Sequence, residues 1–175
     1  MGMMTNRGKR PSESAVVMTE LVLPNDANPL GNILGGKVMH LMDIAGAIAA
    51  SRHCNRPVVT VYVDGISFQE PIKVGEVVVL EATVTWTGNT SMEVMIKVYG
   101  EDLTSGTRRH TNTAYFTFVA LDDEGKPTRV PPIIVESDEE IRQFKEATIR
   151  REERLRRRAR AKSNHGNGTG RRFGA

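Results

Sequence analysis

The sequence predicts an α+β fold in which a curled antiparallel sheet wraps around one central helix, with a second helix added at the C-terminal end. Three observations predict it. Residues 35–55 form one early segment that is apolar on nearly every side of a helix. Residues 58–121 then read as alternating strands joined by short turns. The alternation gives way to an acid-led helix start at Ser137. A helix that is apolar almost all round must be covered on most sides, and a sheet with a single helix to cover has to curl about it.

In chain order, "MGMMTNRGKRPSES" has basic residues with no apolar stretch behind them. Residues 1–14 therefore read as a flexible leader and not as a secretory signal. "AVVMTELVLP" is a first strand, stopped by Pro24, and "NDANPLGN" clusters the residues of a loop. The central helix follows in "GGKVMHLMDIAGAIAASRHCN", where Arg52 and His53 suit the negative end of the helix dipole. "VVTVYVDGISF" alternates, and Asp64-Gly65 is read as a bulge. "VVVLEATVTW" and "SMEVMIKVY" flank the tight turn "TGNT", a hairpin signal. "RRHTNTAYFTFVAL" alternates again and stops at "DDEGKP".

Five antiparallel strands holding one helix is the hotdog arrangement. A single copy leaves an open sheet edge and part of the helix bare, which predicts a dimer. In "VESDEEIRQFKEA", Ser137 and Glu140 have capping-box spacing. Ile141, Phe144 and Ile149 are placed to dock the first half of this second helix, while its arginine-rich second half reads as a solvated face. The chain thus divides into a leader at 1–14, a hotdog domain at 15–135, a C-terminal helix at 136–162 and a disordered tail at 163–175.

The 175 residues include one cysteine, Cys54, so no internal disulfide is available and a reducing, cytoplasmic setting is favoured. Four histidines without ligand spacing predict no metal site. The longest apolar run holds His40 and Asp43 and is too short to span a bilayer. The net charge of +3 hides an asymmetry: residues 16–149 carry 11 basic and 18 acidic side chains, whereas residues 150–162 carry 8 and 2. The basic character belongs to the tail.

The chemistry begins at "GNILGGKVMHLMD". Gly31, Gly36 and Lys37 fit a phosphate-loop pattern, but Val38 stands where a Mg²⁺-binding hydroxyl is needed, and no strand feeds the loop directly. A helix start has its own use. Its first N–H groups lack internal partners and point outward with the positive pole. At Gly35 and Gly36 no side chain keeps a ligand oxygen away from them. Asp43 is the one acid in this helix, set among apolar residues where a carboxylate is costly unless paired or facing a cavity. A carboxylate near helix-end donors is the pairing that acyl transfer requires.

These residues carry a family resemblance. "LPNDANPLGNILGGKVMHLMDIAGAIAASRHCN", "DGISFQEPIKVGEVVVLEATVTWTGNTSMEV" and "HTNTAYFTFVALD" resemble the hotdog acyl-CoA thioesterases, over residues 15–135. The likeness is to the cytosolic acyl-CoA hydrolases, both single-domain bacterial and double-hotdog animal types. It implies hydrolysis of fatty acyl-CoA. Asn28 matches the loop asparagine that orients the thioester, and Asp43 the helix aspartate that acts as general base or nucleophile. Gly36 matches the position whose N–H holds the thioester oxygen. It also implies a homodimer that joins Asn28 and Asp43 across its interface, further assembly as a trimer of dimers, and no cofactor beyond the CoA of the substrate.

For the CoA end, Asn32, Gly35 and the turn residues Thr90 and Ser91 offer polar or backbone contacts, and Arg108 and Arg109 offer charge. Two other functions are compatible with the residues. One is an acyl-CoA-binding regulator whose basic tail meets nucleic acid, although no aromatics interleave the arginines. The other is a hotdog hydratase using His40 with Asp43, which are spaced i, i+3.

Overall fold

The computed structural model describes residues 7–64 and 66–166. Its main elements are β1 (Val16–Leu21), α1 (Gly35–Cys54), β2 (Val58–Val63), β3 (Val77–Thr87), β4 (Ser91–Asp102), β5 (Thr107–Ala120) and α2 (Asp138–Gly166). The five strands form one antiparallel sheet in the order β1-β3-β4-β5-β2, so β1 and β2 are its edges. This is the hotdog fold.

The inner face of the sheet holds α1. Leu80, Ala82 and Val84 of β3, Val94, Ile96 and Val98 of β4, and Phe116 and Phe118 of β5 close around Leu41, Met42, Ala45 and Ala49. Small residues bring the helix close. A Cβ on Gly46 would stand 2.9 Å from the Phe118 ring and 3.0 Å from Ile96, so the glycine is required by contact. α1 ends where Asn55 adopts a left-handed conformation (φ 53°) and its N–H donates to the Ser51 carbonyl.

One stripe of α1 stays open. Met39, His40, Ile44 and Ile48 are exposed along it, with Asp43 and Ala47 half-buried between them. Val59, Val61 and Tyr62 are likewise exposed on the neighbouring edge strand β2.

The outer face is covered by α2. The bulge read at Asp64-Gly65 includes Gly65, which lies outside the described residues; within β2 the register against β5 shifts between Thr60 and Tyr62. A second shift in β3 falls between Val84 and Trp86. Each reverses the in–out alternation. Thr60 and Val84 point inward, while Tyr62 and Trp86, two residues on, pair with the outward Thr117 and Glu93. The result is a row across the outer face, Trp86–Glu93–Thr117–Tyr62, that lies under α2.

The α2 start is the capping box read from the sequence: the Ser137 hydroxyl accepts the Glu140 N–H at 3.2 Å, and Glu140 accepts the Ser137 N–H at 3.0 Å. Its phase differs from expectation. Ile149 is exposed; Gln143, Ala147, Arg150 and Arg154 turn toward the sheet instead. The arginine-rich half is therefore not simply a solvated face.

The expected leader at 1–14 is also corrected from residue 7 onward. Lys9 bridges to Ile133, Pro11–Glu13 forms a turn of 3₁₀ helix, and Ser14 is fully buried. His53, buried in α1, ties these ends together, with the Pro131 carbonyl 3.1 Å from Nε2 and the Ser14 hydroxyl 3.5 Å from Nδ1. The disordered tail was expected from 163, but α2 continues to Gly166; the rest of that expectation lies outside the described residues. No described helix is long and apolar enough to cross a membrane.

Candidate active site

The loop before α1 is built by Asn28. Its Oδ1 accepts the Leu30 N–H at 2.9 Å and the Asn32 N–H at 3.2 Å, and its own N–H donates to the Asn32 carbonyl. Gly31, at φ 76°, supplies the left-handed step that closes this turn. With the oxygen occupied, the side-chain amide nitrogen is the end of Asn28 left to donate to a ligand.

Asn28 and Asn32 line a cavity of about 350 Å³ at the start of α1, together with Gly35, Val38 and the segment Phe68–Ile72. Leu34 caps the helix without a side-chain hydrogen bond, and the first N–H groups to find acceptors are those of Lys37 and Val38, both on the Leu34 carbonyl. Among the described residues, nothing accepts from Gly35 or Gly36. A Cβ on Gly36 would meet nothing within 4 Å, whereas one on Gly35 would touch the Phe68 ring at 3.3 Å. Two donors are thus without acceptors, one at Gly35 beside the asparagine and the Phe68 ring and one at Gly36, around which there is open space. Lys37 is turned away, its ammonium 3.2 Å from Asp26 and 3.9 Å from Glu20, so it does not serve a phosphate loop.

Asp43 stands on the open stripe of α1. Its Oδ1 accepts the Thr60 hydroxyl at 2.5 Å. Sequence reading missed Thr60; the signal was a lone threonine in the valine-rich run "VVTVYV", on the pleat that faces α1. Asp43 bonds to Thr60 and not to His40, which is exposed, so the His–Asp pair a hydratase needs is not assembled in the chain.

The remaining candidates lie elsewhere. Thr90 and Ser91 sit in the β3–β4 hairpin, whose turn is held by Gly88 N–H to the Ser91 carbonyl; they line an open groove on the outer face with Tyr62, Trp86 and Arg158. Arg108 pairs with Glu101 at 3.0 Å and Glu81 at 3.6 Å. Arg109 donates to Glu76 at 2.6 Å and to the Pro71 carbonyl at 2.7 Å, and its guanidinium holds the Glu76 carboxyl below the usual range. Neither arginine lines the cavity at the α1 start. Among the described residues no three His, Cys, Asp or Glu side chains gather as metal ligands.

Residues 30–107 match the family model of the thioesterase superfamily. An uncharacterized acyl-CoA thioester hydrolase of Bacillus subtilis is 44% identical over 142 residues, covering 81% of this chain and 83% of that protein. The chain belongs to the thioesterase superfamily. Among solved structures, an apo-hexameric acyl-CoA thioesterase resembles this superfamily member with a TM-score of 0.84 at 40% identity, over 87% of this chain and 98% of that one. An acyl-CoA hydrolase from Staphylococcus aureus, solved with butyryl coenzyme A and coenzyme A, gives 0.83 at 36% identity, over 90% and 96%. That hydrolase has also been solved as Asp43Ala, Asn28Ala and Thr60Ala variants. The same residue types stand at those numbers here.

Proposed function

We propose that this protein hydrolyses the thioester of fatty acyl-CoA to a free acid and CoA, in a site shared between two copies of the chain. The observation that carries this reading is the pair of unpartnered N–H groups at Gly35, which lines the cavity with Asn28, and at Gly36, which follows it. Negative charge develops on the thioester oxygen as the carbonyl is attacked, and pre-aimed donors stabilise that charge more than the neutral ground state.

The carboxylate must come from a second copy. Gly36 and Asp43 share one helix, seven residues apart, which sets them about 10 Å apart along its axis. A base or nucleophile works at roughly 3 Å from its target. Asp43 therefore acts on a thioester held at the Gly36 of a partner, across the open α1 stripe and the β2 edge, and Thr60 fixes its carboxylate. It either deprotonates a water or attacks the carbonyl directly.

The hexameric state of a close structural relative supports assembly as a trimer of dimers. For the CoA end we keep Asn32, Gly35, Thr90 and Ser91. Arg108 and Arg109 reach a phosphate only by leaving Glu101 and Glu76. A cytoplasmic setting is supported by a human relative named as a cytosolic acyl coenzyme A thioester hydrolase, 36% identical over 77% of this chain.

The test is free-thiol release from acyl-CoAs of graded chain length, by the native protein and by Asp43→Asn. Release by the native protein with a loss of two or more orders of magnitude in the variant is expected. A folded native protein that releases no thiol from any of them overturns the reading.

A further inference from the structure

The arginine-rich end of α2 lies beyond the family match, and nothing in the chemistry above uses it. It is nevertheless bound to the most deeply buried carboxylate among the described residues. Glu93 of β4 is 0% exposed. Arg150 donates to its Oε1 at 2.7 Å, Thr85 donates at 3.1 Å, and Arg154 reaches its Oε2 at 3.2 Å. The guanidinium of Arg150 also lies 3.6 Å over the Tyr115 ring, and that of Arg154 lies 5.5 Å from Tyr62. A buried carboxylate holding two arginines from a surface helix fixes that helix firmly, because separating either partner leaves a desolvated charge.

Arg154 does one thing that Arg150 does not. The same Nη1 that meets Glu93 is 2.9 Å from Oδ2 of Asp64, the residue at which the chain leaves β2. The Asp64 N–H is held by the Tyr115 carbonyl at 3.0 Å. Burial raises the Asp64 carboxyl above its ordinary value, and Arg154 opposes that rise. From here the chain runs to Phe68, whose ring rests against Gly35, and to Pro71, where Arg109 takes the carbonyl. Asp64, before the cavity wall Phe68–Ile72, and Pro71, within it, are therefore each held by an arginine.

We infer that Arg154 is a positioning residue for this cavity: by bridging the buried Glu93 to Asp64, it carries the placement of α2 into the wall that faces the substrate. The inference rests on the proposed hydrolase reading for its kinetic consequence but not for its structural one. Loosening the wall weakens substrate and transition state alike, so the effect falls on KM and spares kcat. Arg150 shares Glu93 but touches no part of the wall, so its loss costs stability alone.

Three variants separate these roles: Arg154→Met, Asp64→Asn and Arg150→Met. With an acyl-CoA that the native enzyme hydrolyses, Arg154→Met and Asp64→Asn are each expected to raise KM about tenfold, with kcat within about threefold, and the double variant to match either one because both remove the same pair. Arg150→Met is expected to lower Tm with KM unchanged. Hydrogen exchange over residues 66–71 gives a second readout, which needs no turnover. It should quicken in Arg154→Met and Asp64→Asn and stay native in Arg150→Met. A KM and an exchange rate in Arg154→Met indistinguishable from native, or equal to those of Arg150→Met, would overturn the inference. Native exchange behaving as expected in a protein that releases no thiol would leave it standing and remove the hydrolase reading instead.

Discussion

Thr60 of the edge strand β2 donates its hydroxyl to Asp43 of α1 across 2.5 Å, joining the one carboxylate of the central helix to a strand that the rest of the sheet leaves unpaired on its outer side. Both groups stand at the surface of a single chain. The bond thus orients a carboxylate whose working partner lies outside that chain.

Replacing Thr60 by valine keeps the shape and removes the donor. A hydrogen bond to a charged group contributes about 1.5–3 kcal/mol, less at a half-exposed site. We predict a fall in kcat of roughly tenfold with KM close to native, because the carboxylate is still present but no longer held. Steady-state kinetics check this, and unchanged kcat would remove Thr60 from the site.

Gly36 separates stability from activity. Its helical position has room for a methyl group, so Gly36→Ala should stabilise the fold by about 0.5–1 kcal/mol. The same methyl stands where an oxygen approaches the N–H, and kcat/KM should fall by roughly an order of magnitude or more. Thermal unfolding and thiol release on one preparation read both effects. A variant that gains stability and keeps full activity would place the oxyanion elsewhere.

A shared site predicts complementation. Asn28→Ala and Asp43→Asn should each be nearly inactive, and subunits mixed after mild dissociation should regain about a quarter of native activity, since half the dimers are mixed and each carries one intact site. Mixtures as inactive as their parents would mean that each chain holds its own complete site.

His53 predicts the acid side of the stability curve. Burial lowers its pKa from the ordinary 6.5, against the Pro131 carbonyl, which favours the charged form. The unfolded chain therefore binds a proton that the folded chain refuses. This contribution is complete above about pH 6.5 and is lost as pH falls toward the lowered folded value. Tm measured from pH 7.5 to 5 should drop, and His53→Gln should flatten that drop relative to native. Lys9, whose ammonium bonds the Arg52 carbonyl, also faces this end of α1 and works in the same direction. Parallel curves for native and variant would show that His53 is not the titrating group.

Much of the fold could be read ahead because its signals are local. The apolar faces of α1, the "TGNT" turn and the Ser137–Glu140 box each concern residues a few positions apart, and each appears in the structure where it was read. Asn28, Gly35 and Gly36 were legible for the same reason: one short loop and one helix start contain them all. Thr60 was not, since a threonine in a valine-rich strand is what any strand prefers. Glu93 looked like an ordinary polar residue on an alternating strand, and its partners Arg150 and Arg154 lie 57 and 61 residues further on. Their run of charge looked solvated because nothing nearby in the chain announces a buried acid. Ile149 drew the phase of α2 toward its apolar residues, yet Glu93 binding to Arg150 rotates the helix to face its arginines inward.

Two of the register shifts of the sheet, at Val61 in β2 and Thr85 in β3, decide how those strands respond to a change of reading frame. With regular alternation, Thr60 and Tyr62 would share a face, as would Val84 and Trp86. One surplus residue in each strand sends the ring outward to meet α2 while its neighbour stays inward to meet α1. Side-chain substitutions at Val61 or Thr85 leave that phase intact. Deleting either residue would leave Thr60 beside Phe118 and Tyr62 beside Thr117, or Val84 beside Val94 and Trp86 beside Glu93, so each ring would still face α2. A residue lost or gained elsewhere in β2 or β3 has no such outlet, and these two positions should be the ones in their strands where a change of length is best tolerated.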